Sequence, residues 1–326
     1  MRKDVVIEQA VILAAGRSTR LGELTQDRPK SMLPVLGKPM VVRVMDRLRE
    51  AGVRRFVVVV GENEGAVAAY LSTSWYPGVD VKFALQAIPT GTVDALKLAV
   101  PYITGAFLLT AVDNFTTLEH IHALMDAFDA APDHIATLSL IPAEPDEIRT
   151  SSGVVIEGDL VVAIEEKPAE PQGSFASFMF YAFAPRFVDY LAGVKPSARG
   201  EREIVSAIQA SIEDGHLVNY ATTDWRLHLT TERDLLAINR WFLEEDRDTH
   251  ILSEIPASVH ITPPVRIDPN VTVGPSARIG PNVYLESGAT VGPRAVLQNS
   301  IVLTGATIPA QQHCDRQIVA HNVRIS

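Results

Sequence analysis

The sequence has a single cysteine, Cys314, in 326 residues. One thiol cannot close an internal disulfide, which fits a reducing compartment. Long apolar runs are missing too: nothing approaches the roughly 18 residues of a membrane helix, and MRKDVVIEQ at the N-terminus has no apolar core of signal-peptide length. The expectation is a soluble, cytoplasmic protein with no membrane partner. Basic charge is also short, 29 Lys and Arg against 39 Asp and Glu, for a net charge of −10. A general nucleic-acid partner needs a basic surface and is excluded on that ground. What remains, 47% hydrophobic and 21% charged residues, describes an ordinary globular chain long enough for two domains.

Against that acidic background one stretch gathers cations. Val11 to Ala15 is an apolar run that predicts a buried strand, and it breaks at Gly16 into a polar loop with Arg17, Ser18, Thr19 and Arg20. A strand feeding a loop of small residues presents backbone N–H groups to an anion. Arg20, Arg28 and Lys30 add full charges, and the segment suits a polyphosphate.

Downstream, Val41, Val44, Met45 and Leu48 recur at helical spacing, with Gly52 placed to end the helix. Phe56–Val60 is a β-branched run of the kind buried on both faces of a sheet. A helix over 64–71, a strand over 81–85, a helix from Thr92 and an apolar strand over 106–112 follow. Alternating strands and helices predict a mostly parallel α/β sheet, which binds ligands at the C-terminal strand ends. Gly16 onward, Gln86 and Asp113 fall there. Strands are expected over 136–141, 153–156, 160–164 and 174–183, with a hairpin turn at Gly158-Asp159. Helices are expected over 186–191 and 203–212 and after an N-cap at Thr231.

The end of the chain repeats. Val259, Val265, Val271, Ala277, Val283, Ala289, Ala295 and Ile301 lie six apart, each followed two residues later by Ile, Val or Leu, as in Ile261, Val273 and Leu303. A period of six with two inward positions is the hexapeptide repeat of a parallel β-helix. About three coils are short for a free-standing solenoid. The repeat is therefore expected to pack on the first domain or on another subunit, as part of a homo-oligomer. The predicted division is 1–250 for the α/β domain and 251–326 for the repeat.

Leu13-Ala14-Ala15-Gly16-Arg17-Ser18-Thr19-Arg20-Leu21, followed by Arg28-Pro29-Lys30, resembles the signature of the sugar-1-phosphate nucleotidylyltransferases. The resemblance implies a Rossmann-like, mixed but mostly parallel sheet followed by a short left-handed β-helix. It also implies a reaction that joins a nucleoside triphosphate to a sugar 1-phosphate and releases pyrophosphate. Leu13 to Arg20, Gln86, Gly91 and Thr92 are then expected at the nucleotide, and Gln86 resembles the thymidylyl and uridylyl branches, favouring dTTP or UTP. Gly153, Glu166, Lys167 and Ser177 are expected at the sugar phosphate. Arg20, Lys30 and Asp113 take the catalytic positions, with Asp113 implied as a ligand of Mg²⁺.

The chain departs from the family pattern in places. Val112 stands where Gly usually precedes the aspartate, and Phe178 and Met179 replace two small residues after Ser177. His228 occupies the place of a second metal-binding aspartate. Imidazole is a poor ligand for Mg²⁺, which leaves open a metal held by Asp113 and phosphates, a preference for Mn²⁺, reduced activity, or a strand histidine with no role. A regulatory subunit that binds nucleotide without turnover is therefore a standing alternative. An acyltransferase built on the coils is another; three coils are few for its cleft, and His260 lies only at their first turn.

Overall fold

The computed structural model describes residues 7–16, 19–62, 64–197, 199–245, 249–321 and 323–325, with the side chain of Thr19 also outside the description. The chain forms two compact units. The first is Met1–Arg17 with Val44–Arg226, and the second is Ser18–Arg43 with Leu227–Ser326. These units cut across the division expected at residue 250: the loop after the first strand and the helix before the repeat both group with the repeat.

The main sheet of the first unit is built of β1 (Gln9–Leu13), β2 (Arg55–Gly61), β3 (Asp80–Gln86), β4 (Phe107–Ala111), β5 (Ala136–Pro142), β6 (Ser152–Glu157), β7 (Leu160–Glu166), β8 (Phe175–Phe183) and β9 (Val218–Thr222). The sheet order is β7-β6-β8-β4-β1-β2-β3, with β5 beside β8 and β9 beside β5. β1, β2, β3 and β4 run parallel, and β8 is antiparallel to β4, β5 and β6. Val57, Val58 and Val59 of β2 are fully buried, as expected for a central strand covered on both sides. β3 is an edge: its residues alternate, Lys82 faces solvent, and Leu85 is 59% exposed. Phe183 stacks on Phe187 with centroids 3.9 Å apart, anchoring β8 in a core shared with Phe107 and Tyr181.

The longer α-helices are α1 (Met40–Glu50), α2 (Gly65–Thr73), α3 (Thr92–Ala99), α4 (Leu118–Asp129), α5 (Ile204–Glu213) and α6 (Glu232–Glu244), with a single turn over Pro145–Ile148. Among the elements the sequence reading does not place are α4 and β9. The signal for α4 is present in the sequence: Thr117 caps the His120 amide at 3.2 Å, and buried Ile121, Leu124, Met125 and Phe128 recur at helical spacing. The segment expected as a helix over 186–191 is a 3-10 helix, Pro185–Gly193. Among the described residues no helix is long and apolar enough to cross a membrane.

In the second unit α6 starts with the capping box of Thr231 and Asp234. The repeat forms three sheets, one per face, containing Val265–Ile267, Thr272–Val273 and Arg278–Ile279; all are parallel except that Arg324–Ile325 closes the first antiparallel to Ile318–Val319. The first two coils advance by 18 residues, Val265 pairing Val283, and the next by 17, Val283 pairing Ser300. The strict period of six therefore fails after Leu297. Ser300 and Val302 take the inward places expected for Ile301 and Leu303, while Ile301 is buried on the opposite side of its strand. The residue is lost at the corner between Leu297 and Ser300, where Gln298-Asn299 stands for Gly280-Pro281-Asn282 of the preceding coil; Asn299, at φ +46°, keeps the left-handed turn that Asn282 makes at φ +58°.

Candidate active site

The C-terminal ends of the parallel strands lie along one edge of the first unit. Leu13 is in register with Val59 and Ala111, and Gly61 with Gln86. Ligands of open α/β sheets sit outside this edge. Leu13, Ala14 and Ala15 are buried, and the chain surfaces at Gly16. A Cβ on Gly16 would meet no described atom within 4 Å, and its backbone is outside the left-handed region. Neither packing nor φ requires glycine there, which fits a position left bare for close approach of a ligand. Arg17, Ser18 and the side chain of Thr19 lie outside the described residues.

Gln86 ends β3 and is buried, its amide donating to the Gly91 carbonyl at 3.3 Å. Gly91 has φ +123°, and a Cβ there would fall 2.4 Å from the Arg202 carbonyl oxygen, so the turn takes only glycine. The Arg202 backbone pairs with Thr90 and Val93, and Thr92 Oγ1 accepts the Ile204 amide at 2.8 Å. The Gln86–Thr92 loop is thus fixed to the start of α5.

Asp113 is half-buried two residues beyond β4, whose end is tied to β1 by the Val112 amide donating to Leu13 at 3.1 Å. Arg226 faces the same region. Its guanidinium is 5.2 Å from the centroid of the Phe178 ring, and its Nε is buried without a hydrogen-bond partner. Burial lowers the Arg226 pKa, and the charge of Asp113 opposes that shift. Sequence reasoning passed over Arg226, whose one signal is the unusual Phe178 it sits on.

On the β6–β7 side, Glu166 accepts from Ser152 Oγ at 2.5 Å and from Arg199 at 3.3 Å, with Lys167 Nζ at 3.8 Å. Arg199, absent from the expected set, also pairs with Glu203 at 2.9 Å. Burial, reinforced by the negative charge of Glu166, pushes the Glu203 carboxyl above its usual range. Gly153 has an internal reason: a Cβ would lie 2.8 Å from Ile148. Ser177 is buried, with Oγ 2.5 Å from the Tyr181 hydroxyl. The hydroxyl expected on the sugar wall is therefore already engaged within its own strand.

In the second unit Arg20 is exposed on the turn Thr19–Thr25. Lys30 opens the next turn and donates to the Leu229 carbonyl at 2.6 Å. The adjacent His228 has Nδ1 2.9 Å from Thr230 Oγ1. Lys30 thus reaches the residue that follows His228. Among the described residues no three His, Cys, Asp or Glu side chains are grouped to hold a metal ion. The donor chemistry suits a single hard ligand: the Asp113 carboxylate is what Mg²⁺ takes alongside phosphate oxygens, whereas His228 offers the nitrogen it disfavours.

An open, mostly parallel sheet with a bare glycine loop at its strand ends and a following β-helix defines a Rossmann-like nucleotidyltransferase architecture. Residues 9–241 match the nucleotidyl transferase family model, and residues 261–326 match that of the GMPPB C-terminal domain. The chain belongs to the nucleotidyl transferase family. It is 33% identical over 230 residues to the UTP–glucose-1-phosphate uridylyltransferase AglF of Haloferax volcanii, covering 69% of this chain and 93% of that one. It is 30% identical over 241 residues to a glucose-1-phosphate thymidylyltransferase of Streptomyces griseus, covering 72% of this chain and 66% of the relative. A solved UDP-glucose pyrophosphorylase in complex with UDP-glucose shares the fold, with a TM-score of 0.65 and 16% identity over 74% of this chain and all of that one.

Proposed function

We propose that the protein transfers a nucleotidyl group from UTP or dTTP to a sugar 1-phosphate, giving a nucleotide sugar and pyrophosphate. The observation carrying this reading is the strand-end edge, where a bare Gly16, the Gln86–Gly91 loop and Asp113 follow parallel strands held in register. A sugar-phosphate oxygen attacks the α-phosphorus in line, and pyrophosphate leaves. The protein's share is positioning and charge stabilisation. Gln86 orients the base, Arg20 meets the β- and γ-phosphates, and Lys30 meets charge developing at the α-phosphate. Lys167 neutralises the attacking phosphate, and Glu166, held by Ser152 and Arg199, accepts from sugar hydroxyls. Asp113 would hold Mg²⁺, or Mn²⁺, which supplies charge neutralisation to the triphosphate. The protein acts in the cytoplasm as a homo-oligomer to which the β-helix contributes, a state sedimentation measures.

Pyrophosphate release screened over triphosphates and sugar 1-phosphates tests the reading. Lys30→Ala and Asp113→Ala should each remove most turnover while the fold persists; near-normal turnover in both defeats it. Arg226, whose charge competes for Asp113, favours one second reading, a nucleotide-binding regulatory subunit. Triphosphate-induced thermal shifts without turnover under Mg²⁺ or Mn²⁺ select that one.

A further inference from the structure

The loop that carries Lys30 is held by the β-helix. Arg28 places Nη1 2.6 Å from Glu286 Oε1 and Nη2 3.2 Å from Glu286 Oε2, a two-pronged pair between residues 258 apart in sequence. Both side chains are largely shielded, 22% and 15% exposed. Glu286 is itself pinned, its Oε2 accepting the Thr304 amide at 2.8 Å and its own amide donating to Val302. Between Arg28 and Lys30 stands Pro29, extended at φ −67° and ψ 156°, whose carbonyl accepts the Met32 amide. A fixed proline passes the position of its neighbour to the next residue with little play.

A second anchor lies nine residues along. Gly37 sits at φ +73° against the repeat, where a Cβ would fall 2.1 Å from Arg266 Nη2. Arg266 and Tyr284 converge on Asp268 at 2.7 and 2.8 Å, and the preceding Leu36 amide donates to Asn239 of α6 at 2.9 Å. The segment is therefore clamped at both ends, and at each end by a β-helix residue.

Isolated exposed ion pairs contribute little. A bidentate arginine–carboxylate pair that is mostly shielded fixes geometry as well as charge, and binding groups need placement within about 0.5 Å. We infer that Glu286 is a positioning residue for the triphosphate half of the site, setting Arg28 and through Pro29 the Lys30 ammonium. This rests on the nucleotidyl-transfer reading above. In it the β-helix is a working part of the triphosphate site.

Glu286→Gln keeps the shape of the side chain and removes its charge. Steady-state pyrophosphate release, with calorimetric binding of UTP and dTTP to the full-length protein, reads the effect. The expected result is at least a tenfold loss in kcat/KM for the triphosphate with the KM for sugar 1-phosphate unchanged. Glu286→Asp, which keeps the charge at shorter reach, should recover part of that loss, and it carries the test if Glu286→Gln does not fold. In the Arg28→Gln background Glu286→Gln should cost nothing further. A merely structural role would instead move both substrate constants with the melting temperature. Unchanged or tighter triphosphate binding by Glu286→Gln, beside a wild type that binds and turns over, overturns this proposal alone. A wild type that binds neither UTP nor dTTP overturns the reading beneath it as well.

Discussion

Arg226 holds its guanidinium 5.2 Å from the centre of the Phe178 ring, within the field of Asp113, two residues past the end of β4. A cation over an aromatic face contributes about 1 kcal/mol when partly desolvated. Phe178, one of the departures from the family pattern, thus forms part of the surroundings of a buried cation. Arg226→Met keeps the length of the side chain and removes the charge. With the competing cation gone, Asp113 should bind a divalent ion more tightly, so the Mg²⁺ concentration for half-maximal pyrophosphate release should fall several-fold. An unchanged Mg²⁺ dependence would show that Arg226 does not act on Asp113.

His120 gives the protein an acid limit. It is buried on α4, with Nε2 2.8 Å from Ser139 Oγ, and burial lowers its pKa from 6.5 to about 4. Between these values the unfolded chain binds the proton that the folded chain refuses. The stability from keeping His120 neutral is complete above pH 6.5 and is lost as pH falls toward 4. A shift of this size corresponds to roughly 2 to 3 kcal/mol by pH 4.5. Urea unfolding at pH 7 and pH 4.5 should show the wild type losing about that much more than His120→Gln. Equal losses in the two proteins would remove His120 from the acid response.

Much of this site was legible because strand ends are marked twice, by an apolar run and by the residue type that breaks it. Gln86 and Asp113 were placed at strand termini from sequence, and the structure puts Gln86 at the end of β3 and Asp113 two residues past β4. What escaped was contact between residues distant in sequence. Arg199 touches Glu166 across 33 residues and Arg28 touches Glu286 across 258, and no local pattern encodes either. The Ser177–Tyr181 hydroxyl contact is of the same kind, since nothing in the motif marks a partner four residues along the strand. The repeat misled in its phase alone, since one residue lost at a corner leaves the apolar alternation intact and exchanges the faces.

Gln86 sets a prediction for base choice. Its amide is buried and donates to Gly91, so the same side chain shapes the loop and presents a polar edge. Sites that select by hydrogen bonding lose discrimination when the partner is removed. Gln86→Met should lower kcat/KM for the preferred triphosphate by about 10- to 100-fold and narrow its preference over CTP. Competition assays with paired triphosphates measure this, and a retained preference would move base selection elsewhere.

Asn299 makes the shortened coil testable. Its side chain accepts from Asn282 Nδ2 at 3.0 Å and donates to Asp315 Oδ1 at 2.9 Å, linking three successive coils at one corner. Its φ of +46° is one that asparagine tolerates and alanine resists. Asn299→Ala loses both bonds and adds backbone strain, for a cost of about 2 to 3 kcal/mol. Asn299→Gly loses the same bonds without the strain and should be about 1 kcal/mol more stable than the alanine variant. Denaturant unfolding of the two side by side separates the contributions. If glycine and alanine prove equal, the left-handed backbone at this corner carries no strain for alanine, and the whole cost belongs to the two lost hydrogen bonds.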